Sequence, residues 1–189
     1  MQQMGQKLLH ANTLAMAQTL EQLDPRALDR AAVLLARARN VYCMGQGGSM
    51  ILAQEAAHLF STCWPHYHAV SGSHIQAITA SLLGEEDVVL FFSYSGSTRD
   101  ILDLMQVVRG RGCRVILITR FPKSPGAVMA DVVLQCVCDE GPLQLGTVPA
   151  RVAQLFLVDL LFNEVCRRDL DAAMQNREQT ASALAVKHI

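Results

Sequence analysis

Ser93-Tyr94-Ser95-Gly96-Ser97-Thr98-Arg99-Asp100 is the stretch that decides how this chain folds. It follows Val88-Val89-Leu90-Phe91-Phe92, a run apolar on both faces, as a buried parallel strand requires. It precedes Ile101, Leu102, Met105 and Val108, which recur at helical spacing. The pattern is therefore strand, hydroxyl-rich turn, helix start. Ser93, Ser95, Ser97 and Thr98 place four hydroxyls within six residues. The first N–H groups of a helix have no intrahelical partner and stand at the positive end of its dipole, so an anion, above all a phosphate, fits there. One of these hydroxyls could serve only as a helix cap; four exceed what a cap needs. No lysine lies in the turn, which excludes the P-loop pattern.

A second turn of this kind lies upstream. Val41-Tyr42-Cys43-Met44 predicts a short strand, Gly45-Gln46-Gly47-Gly48-Ser49 a turn, and Met50 to Phe60 a helix. The glycine spacing is not G-x-G-x-x-G, so a dinucleotide fingerprint is not supported. Ser49, with the N–H groups of Gly47 and Gly48, either faces a ligand or merely opens the helix. If both strands sit where the strand order of a doubly wound sheet reverses, the two turns face one crevice.

Around these turns, strands and helices alternate. Helices are predicted over 6–23, with Leu9, Met16, Leu20 and Leu23 in register, and from the Asp24-Pro25 cap to about Arg39. Further strands fall at 67–70, 115–119 and 131–136, and further helices at 75–83, 99–109 and 148–168, with a helical tail over 171–187. Every connection is long enough for a right-handed crossover. The expected fold is α/β: a doubly wound, flavodoxin-like three-layer sandwich with a five-stranded parallel sheet. One domain over residues 1–189 is expected: a helical pair at about 6–39, an α/β core at about 40–170, and the helical tail.

Composition narrows the setting. Sixteen Lys and Arg against 17 Asp and Glu leave the chain near neutral, which argues against direct nucleic-acid binding by it. No apolar run approaches a membrane span, and no secretory h-region is legible at the N-terminus. The six cysteines are scattered; Cys43, Cys113 and Cys136 lie in or beside apolar runs and suit a reducing cytoplasm. Cys136-Val137-Cys138 is C-x-C with no second pair, and His66 and His68 flank Tyr67 without a third ligand, so no metal and no cofactor are expected.

Gly45-Gln46-Gly47-Gly48-Ser49 together with the 93–100 stretch resembles the sugar isomerase (SIS) family of phosphosugar-binding domains. Phe121-Pro122-Lys123-Ser124-Pro125 and the segment from Gly141-Pro142-Leu143-Gln144 to Phe162 resemble the SIS domain of RpiR-type bacterial transcription regulators. The resemblance runs from about Asn12 to about Arg168. It implies a phosphorylated sugar as partner, a homodimer or tetramer, and Ser95, Ser97 and Thr98 as phosphate ligands. Gly47, Gly48, Ser49, Ser93 and Gly96 complete the expected binding set.

Two functions remain open. Aldose–ketose isomerisation needs a positioned base and an acid. Candidates are Glu55, His58, His74, Glu140 and Arg151; those kept as weak candidates are His74, which begins the helix after Ser71-Gly72-Ser73, Glu140 in a loop, and Glu55, while His58 reads mainly as packing. Gly146-Thr147-Val148-Pro149-Ala150 resembles the stretch where hexulose-phosphate isomerases of the same fold carry G-T-x-x-E, with Ala150 in place of the carboxylate. That departure favours a ligand-sensing regulatory module. The alternative is a stand-alone sugar-phosphate isomerase, supported by the lack of a legible DNA-reading segment in these residues.

Overall fold

The computed structural model describes residues 2–138 and 147–186. Glu140, the 141–144 stretch and Gly146 lie outside the described residues. Strands β1 (Val41–Gly45), β2 (Tyr67–Ala69), β3 (Val88–Phe92), β4 (Arg114–Thr119) and β5 (Val132–Gln135) form a five-stranded sheet in the order β2-β1-β3-β4-β5. Every pairing is parallel. The helices are α1 (Gln2–Gln22), α2 (Pro25–Arg37), α3 (Gly48–Ser61), α4 (Ser73–Leu82), α5 (Arg99–Gly110), α6 (Pro125–Met129), α7 (Val148–Arg168) and α8 (Leu170–Ala185). This is the expected doubly wound α/β architecture. The element boundaries differ from the sequence reading by a few residues; α1 starts four residues before the expected position 6, at Gln2.

Strand pleating divides the core into two clusters. Val88, Leu90 and Phe92 of β3, with Ile116 and Ile118 of β4, pack against α2, α3 and α7. Val89 and Phe91, with Val115 and Leu117, face α4, α5 and α6. Both faces of β3 are covered, so all five of its side chains are buried and its sequence shows no polar alternation. Phe60 of α3 stacks on Tyr67 of β2 at 4.4 Å and meets Phe162 of α7 edge-on at 5.4 Å, which ties two helices to the sheet edge. Asp24 caps α2 as its sequence predicts, accepting from the Arg26 N–H at 2.9 Å, with Pro25 in the first turn. Burial pushes the Cys43 thiol up to about 12, so it serves as a small core hydrophobe. Among the described residues, no helix is long and apolar enough to cross a membrane.

Helix α1 departs from the amphipathic expectation. Its buried residues are Ala15 and Thr19, whereas Leu9 is 68% and Leu20 56% exposed. Beside its packing on α7 through Ala15, the helix is tied down by a buried polar contact. The Thr19 hydroxyl donates to the Ala15 carbonyl at 2.7 Å and accepts from the Val137 N–H at 2.9 Å, tying α1 to the chain just past β5. Leu9 and Leu20 of the expected apolar stripe therefore face outward, while Met16 is half-buried.

Thr19→Val keeps the shape of the side chain but leaves the Val137 N–H without its acceptor. Urea unfolding should show a loss of about 1–3 kcal/mol. A loss below a few tenths would mean that α1 is held by packing alone.

Candidate functional site

The parallel register aligns Gly45, the last residue of β1, with Phe92, the last residue of β3. The chain enters β2 on one side of β1 and β3 on the other, so the strand order reverses here. Both glycine-serine turns consequently leave the sheet at the same edge, beyond its carboxyl ends, where α/β folds bind ligands.

The upstream turn is set by backbone conformation and by one buried amide. Gly47 occupies the cap position of α3 at φ 54°, a left-handed conformation, and supplies no side-chain cap. Ser49 lies inside the first helical turn, its N–H bonded to the Gln46 carbonyl at 3.0 Å. The Ser49 hydroxyl is thus not the helix cap. Gln76 of α4 is fully buried, and its Nε2 donates to the carbonyls of Gly45 at 2.9 Å and Val70 at 2.8 Å. Its Oε1 accepts from Gln46 Nε2 at 2.8 Å. One side chain therefore joins the ends of β1 and β2 and orients Gln46.

The downstream turn sorts its hydroxyls into two kinds. Ser93 is buried, and its Oγ accepts from the Gly96 N–H at 3.2 Å, so it shapes the turn from below. Ser95 Oγ accepts from the Ser97 N–H at 3.3 Å and lies 3.4 Å from Thr98 Oγ1. Ser97 and Thr98 are exposed. Thr98 holds the cap position of α5, yet its side chain makes no cap hydrogen bond. The Ser95, Ser97 and Thr98 side chains are therefore gathered at a helix N-terminus whose N–H groups they do not cap. Gly96 has φ 60°, and a Cβ there would lie 2.7 Å from the Ser124 Cβ. Its carbonyl also accepts from the Gly126 N–H at 2.8 Å, which docks the start of α6 against the turn.

Tyr94 connects the two turns. Its carbonyl accepts from Thr119 Oγ1 and from the Arg120 N–H, each at 3.1 Å. It also lines a cavity of about 200 Å³ together with Gln46, Gly48, Ser49, Arg151 and Gln154. Arg151 lies over Gly48, its Nη2 3.2 Å from where a Cβ would stand, so the second glycine of the turn makes room for the guanidinium. Gln154 is 2% exposed on α7. The crevice thus has a largely polar wall from the turn after β1, from α3 and from α7, and Tyr94 of the downstream turn closes it.

Of the catalytic candidates, Arg151 lines the crevice, Glu140 lies outside the described residues, and His74, Glu55 and His58 fall elsewhere. His74 is exposed and lines a separate cavity of about 310 Å³ with Ser73, Asp100 and Asp103, between α4 and α5. Glu55 and His58 line a groove of about 800 Å³ with Met16, Ile51, Leu155 and Phe156, between α1, α3 and α7. Ala150 is fully buried in the core. Among the described residues no group of three or more His, Cys, Asp or Glu could hold a metal ion. Sequence reasoning missed Gln46, Gln76 and Gln154 as site-building residues. Gln76 and Gln154 are amides within apolar helix faces, and only the fold shows that Gln154 lines the crevice and that Gln76 holds Gln46 beside it.

Comparison with known proteins agrees with this geometry. The profile of the SIS domain family matches residues 34–164. An uncharacterised HTH-type transcriptional regulator of Caldanaerobacter subterraneus is 30% identical over 184 residues, covering 97% of this chain and 65% of the regulator. The HTH-type transcriptional regulator RpiR of Escherichia coli K12 is 31% identical over 170 residues, covering 90% of this chain and 57% of RpiR. The chain thus spans less than two thirds of either regulator. The solved structure of Vibrio vulnificus NanR complexed with ManNAc-6P superposes with a TM-score of 0.90 at 23% identity, over 95% of this chain and 68% of NanR. At that identity the likeness concerns the fold.

Gly96→Ala should destabilise the protein by about 1–3 kcal/mol in urea unfolding, because it forces a side chain into a left-handed conformation against Ser124. Equal stability would mean that the turn can move away from Ser124.

Proposed function

Because the chain belongs to the SIS domain family, we propose that it binds a phosphorylated sugar and serves as the ligand-sensing module of a regulator of the RpiR type. The observation that carries this reading is the group of Ser95, Ser97 and Thr98 side chains at the N-terminus of α5, beside a polar crevice. A phosphate there would take hydrogen bonds from these hydroxyls and from the first N–H groups of the helix. Gly96 admits close approach of the backbone, and Ser93 holds the turn in shape. Gly47, Gly48 and Ser49 would face the sugar. NanR, whose solved structure holds ManNAc-6P, has the same fold and offers a precedent for such a ligand.

An isomerase is the less favoured reading. Proton transfer between adjacent carbons needs a base within hydrogen-bond reach of the sugar. Among the described residues the crevice is lined by amides, hydroxyls and an arginine, with no carboxylate or imidazole. Position 150, where the related isomerases' carboxylate would be carried over, holds an alanine within the core. A phosphosugar sensor would work in the cytoplasm, as one SIS domain over the whole chain, with any nucleic-acid contact made by another part of the protein.

The outward stripe on α1 and the groove beside it give this module a face for a second copy. Leu9, Leu20 and Ile51 are each more than half exposed, and the groove runs beside them between α1, α3 and α7. We assign this face to a homodimer, itself a building block for a tetramer.

Two experiments test the reading. Thermal shifts against sugar phosphates, each paired with its unphosphorylated sugar, should show stabilisation by the phosphate form alone; saturation at a hundredfold excess over Kd is worth about 2.7 kcal/mol. Ser95→Ala combined with Ser97→Ala should remove that shift while leaving the circular dichroism unchanged, and NMR of the bound mixture should show no isomerised sugar. Unchanged affinity in the double variant would sink the phosphate assignment, and turnover would favour the isomerase. Light scattering should give at least twice the 20.7 kDa chain mass, falling to one chain in Leu9→Glu with Leu20→Glu. A wild-type monomer would remove the interface.

A further inference from the structure

The polar wall of the crevice carries a donor and acceptor pattern that goes beyond phosphate binding. Amide oxygens and nitrogens must be told apart by their partners, and here the partners decide. Gln76 Nε2 faces two backbone carbonyls, of Gly45 and Val70, which only accept. Its Oε1 must then face Gln46, whose Nε2 donates to it at 2.8 Å. The remaining atom of the Gln46 amide is its oxygen. The same logic applies to Gln154. Its Nε2 donates to the Ala150 carbonyl at 3.2 Å, within its own helix. Its Oε1 is buried and has no hydrogen-bond partner among the described residues. Both side chains line the same cavity of about 200 Å³.

A buried acceptor without a donor is costly, and native proteins keep few of them. Gln154 is 2% exposed, so bulk water does not compensate. Beside it, the Arg151 guanidinium is a cation with no ion pair among the described residues. Two glutamines and one guanidinium therefore line a single cavity, which meets the hydroxyl-rich turn at Tyr94.

We propose that Gln46 and Gln154 read hydroxyl or amide N–H donors at the end of the sugar remote from its phosphate, while Arg151 takes an acceptor oxygen there. Gln76 is the positioning residue that fixes the sense of the Gln46 amide. The ligand class is a sugar phosphate bearing free hydroxyls or an acylamino group at those carbons. Deoxy and O-methyl analogues lack the donors and leave the acceptors unpaired, so they are rejected. A site built around buried hydrogen-bonding groups discriminates strongly against analogues that lack the matching group. This inference rests on the phosphosugar reading and adds the groups that select the sugar.

Calorimetry tests it with a panel of glucose 6-phosphate, mannose 6-phosphate, their N-acetylamino counterparts, arabinose 5-phosphate and inorganic phosphate. Gln154→Met preserves shape and removes the acceptor. It should weaken the tightest sugar phosphate by about tenfold or more. Inorganic phosphate should bind as it does to wild type, and the unliganded melting temperature should stay level or rise, because an unpaired buried acceptor is gone. Gln46→Met reads the second acceptor independently, with the same expected pattern, and serves if the first variant fails to fold. Unchanged sugar-phosphate affinity in both variants would overturn this inference while leaving the phosphate site intact. Equal loss for inorganic phosphate and for sugar phosphates would also overturn it, since the effect would then be a general distortion. Absence of any sugar-phosphate binding by wild type would remove the phosphosugar reading itself, and this inference with it.

Discussion

The alignment of Gly45 with Phe92 across β1 and β3 is the constraint on which the rest depends. Parallel strands place their carboxyl ends at one edge, and the reversal of strand order between β1 and β3 opens that edge. Neither turn forms the crevice alone. The upstream turn contributes Gln46, Gly48 and Ser49, and the downstream turn contributes Tyr94. A slip of one residue in this register would turn the core-facing side chains of β3 to the opposite face. The buried faces of Phe91 and Phe92 therefore secure the site as well as the sheet.

Within that frame the polar groups fall into committed and uncommitted sets. Ser93, Gln76 and Thr119 are buried and spend their hydrogen bonds on backbone groups of the turns. They give rigidity. Ser95, Ser97 and Thr98 lie above them, with hydroxyls that cap no helix. Such layering is what a binding site requires, because a ligand contact is strong only when the contacting group is already held in place. Among the described residues that line the crevice, Gln154 carries the buried side-chain oxygen that has no hydrogen-bond partner.

The fold was largely legible because its signals are local. Val88 to Phe92 has no polar residue, Asp24-Pro25 is a helix start, and the glycine-serine turns follow the strands directly. The hydroxyl-rich turn was legible for the same reason: its hydroxyls are contiguous. The amide-lined wall was not, since Gln46, Gln76, Arg151 and Gln154 come from three separate segments, the turn after β1, α4 and α7, and the glutamines read in sequence as ordinary polar residues. Glu55 and His74 were misleading because closeness in sequence to a turn does not fix direction. Each follows a glycine turn, yet its helix turns the side chain to a different cavity. The outward stripe of α1 was read correctly as a helical repeat, but amphipathic spacing does not say which surface the apolar side meets.

A sensor also needs a physical route from ligand to response. A ligand shifts a conformational equilibrium only by binding the two states with different affinity. Here α3 and α7 present opposite sides to the two surfaces. Ser49 of α3 with Arg151 and Gln154 of α7 face the crevice, whereas Ile51, Glu55, Leu155 and Phe156 of the same helices face the apolar groove. Leu52 lines both. A ligand that draws α7 toward the α3 turn must alter the groove, because close-packed helices move as units. If that groove holds a second copy, ligand occupancy and subunit arrangement share one free energy.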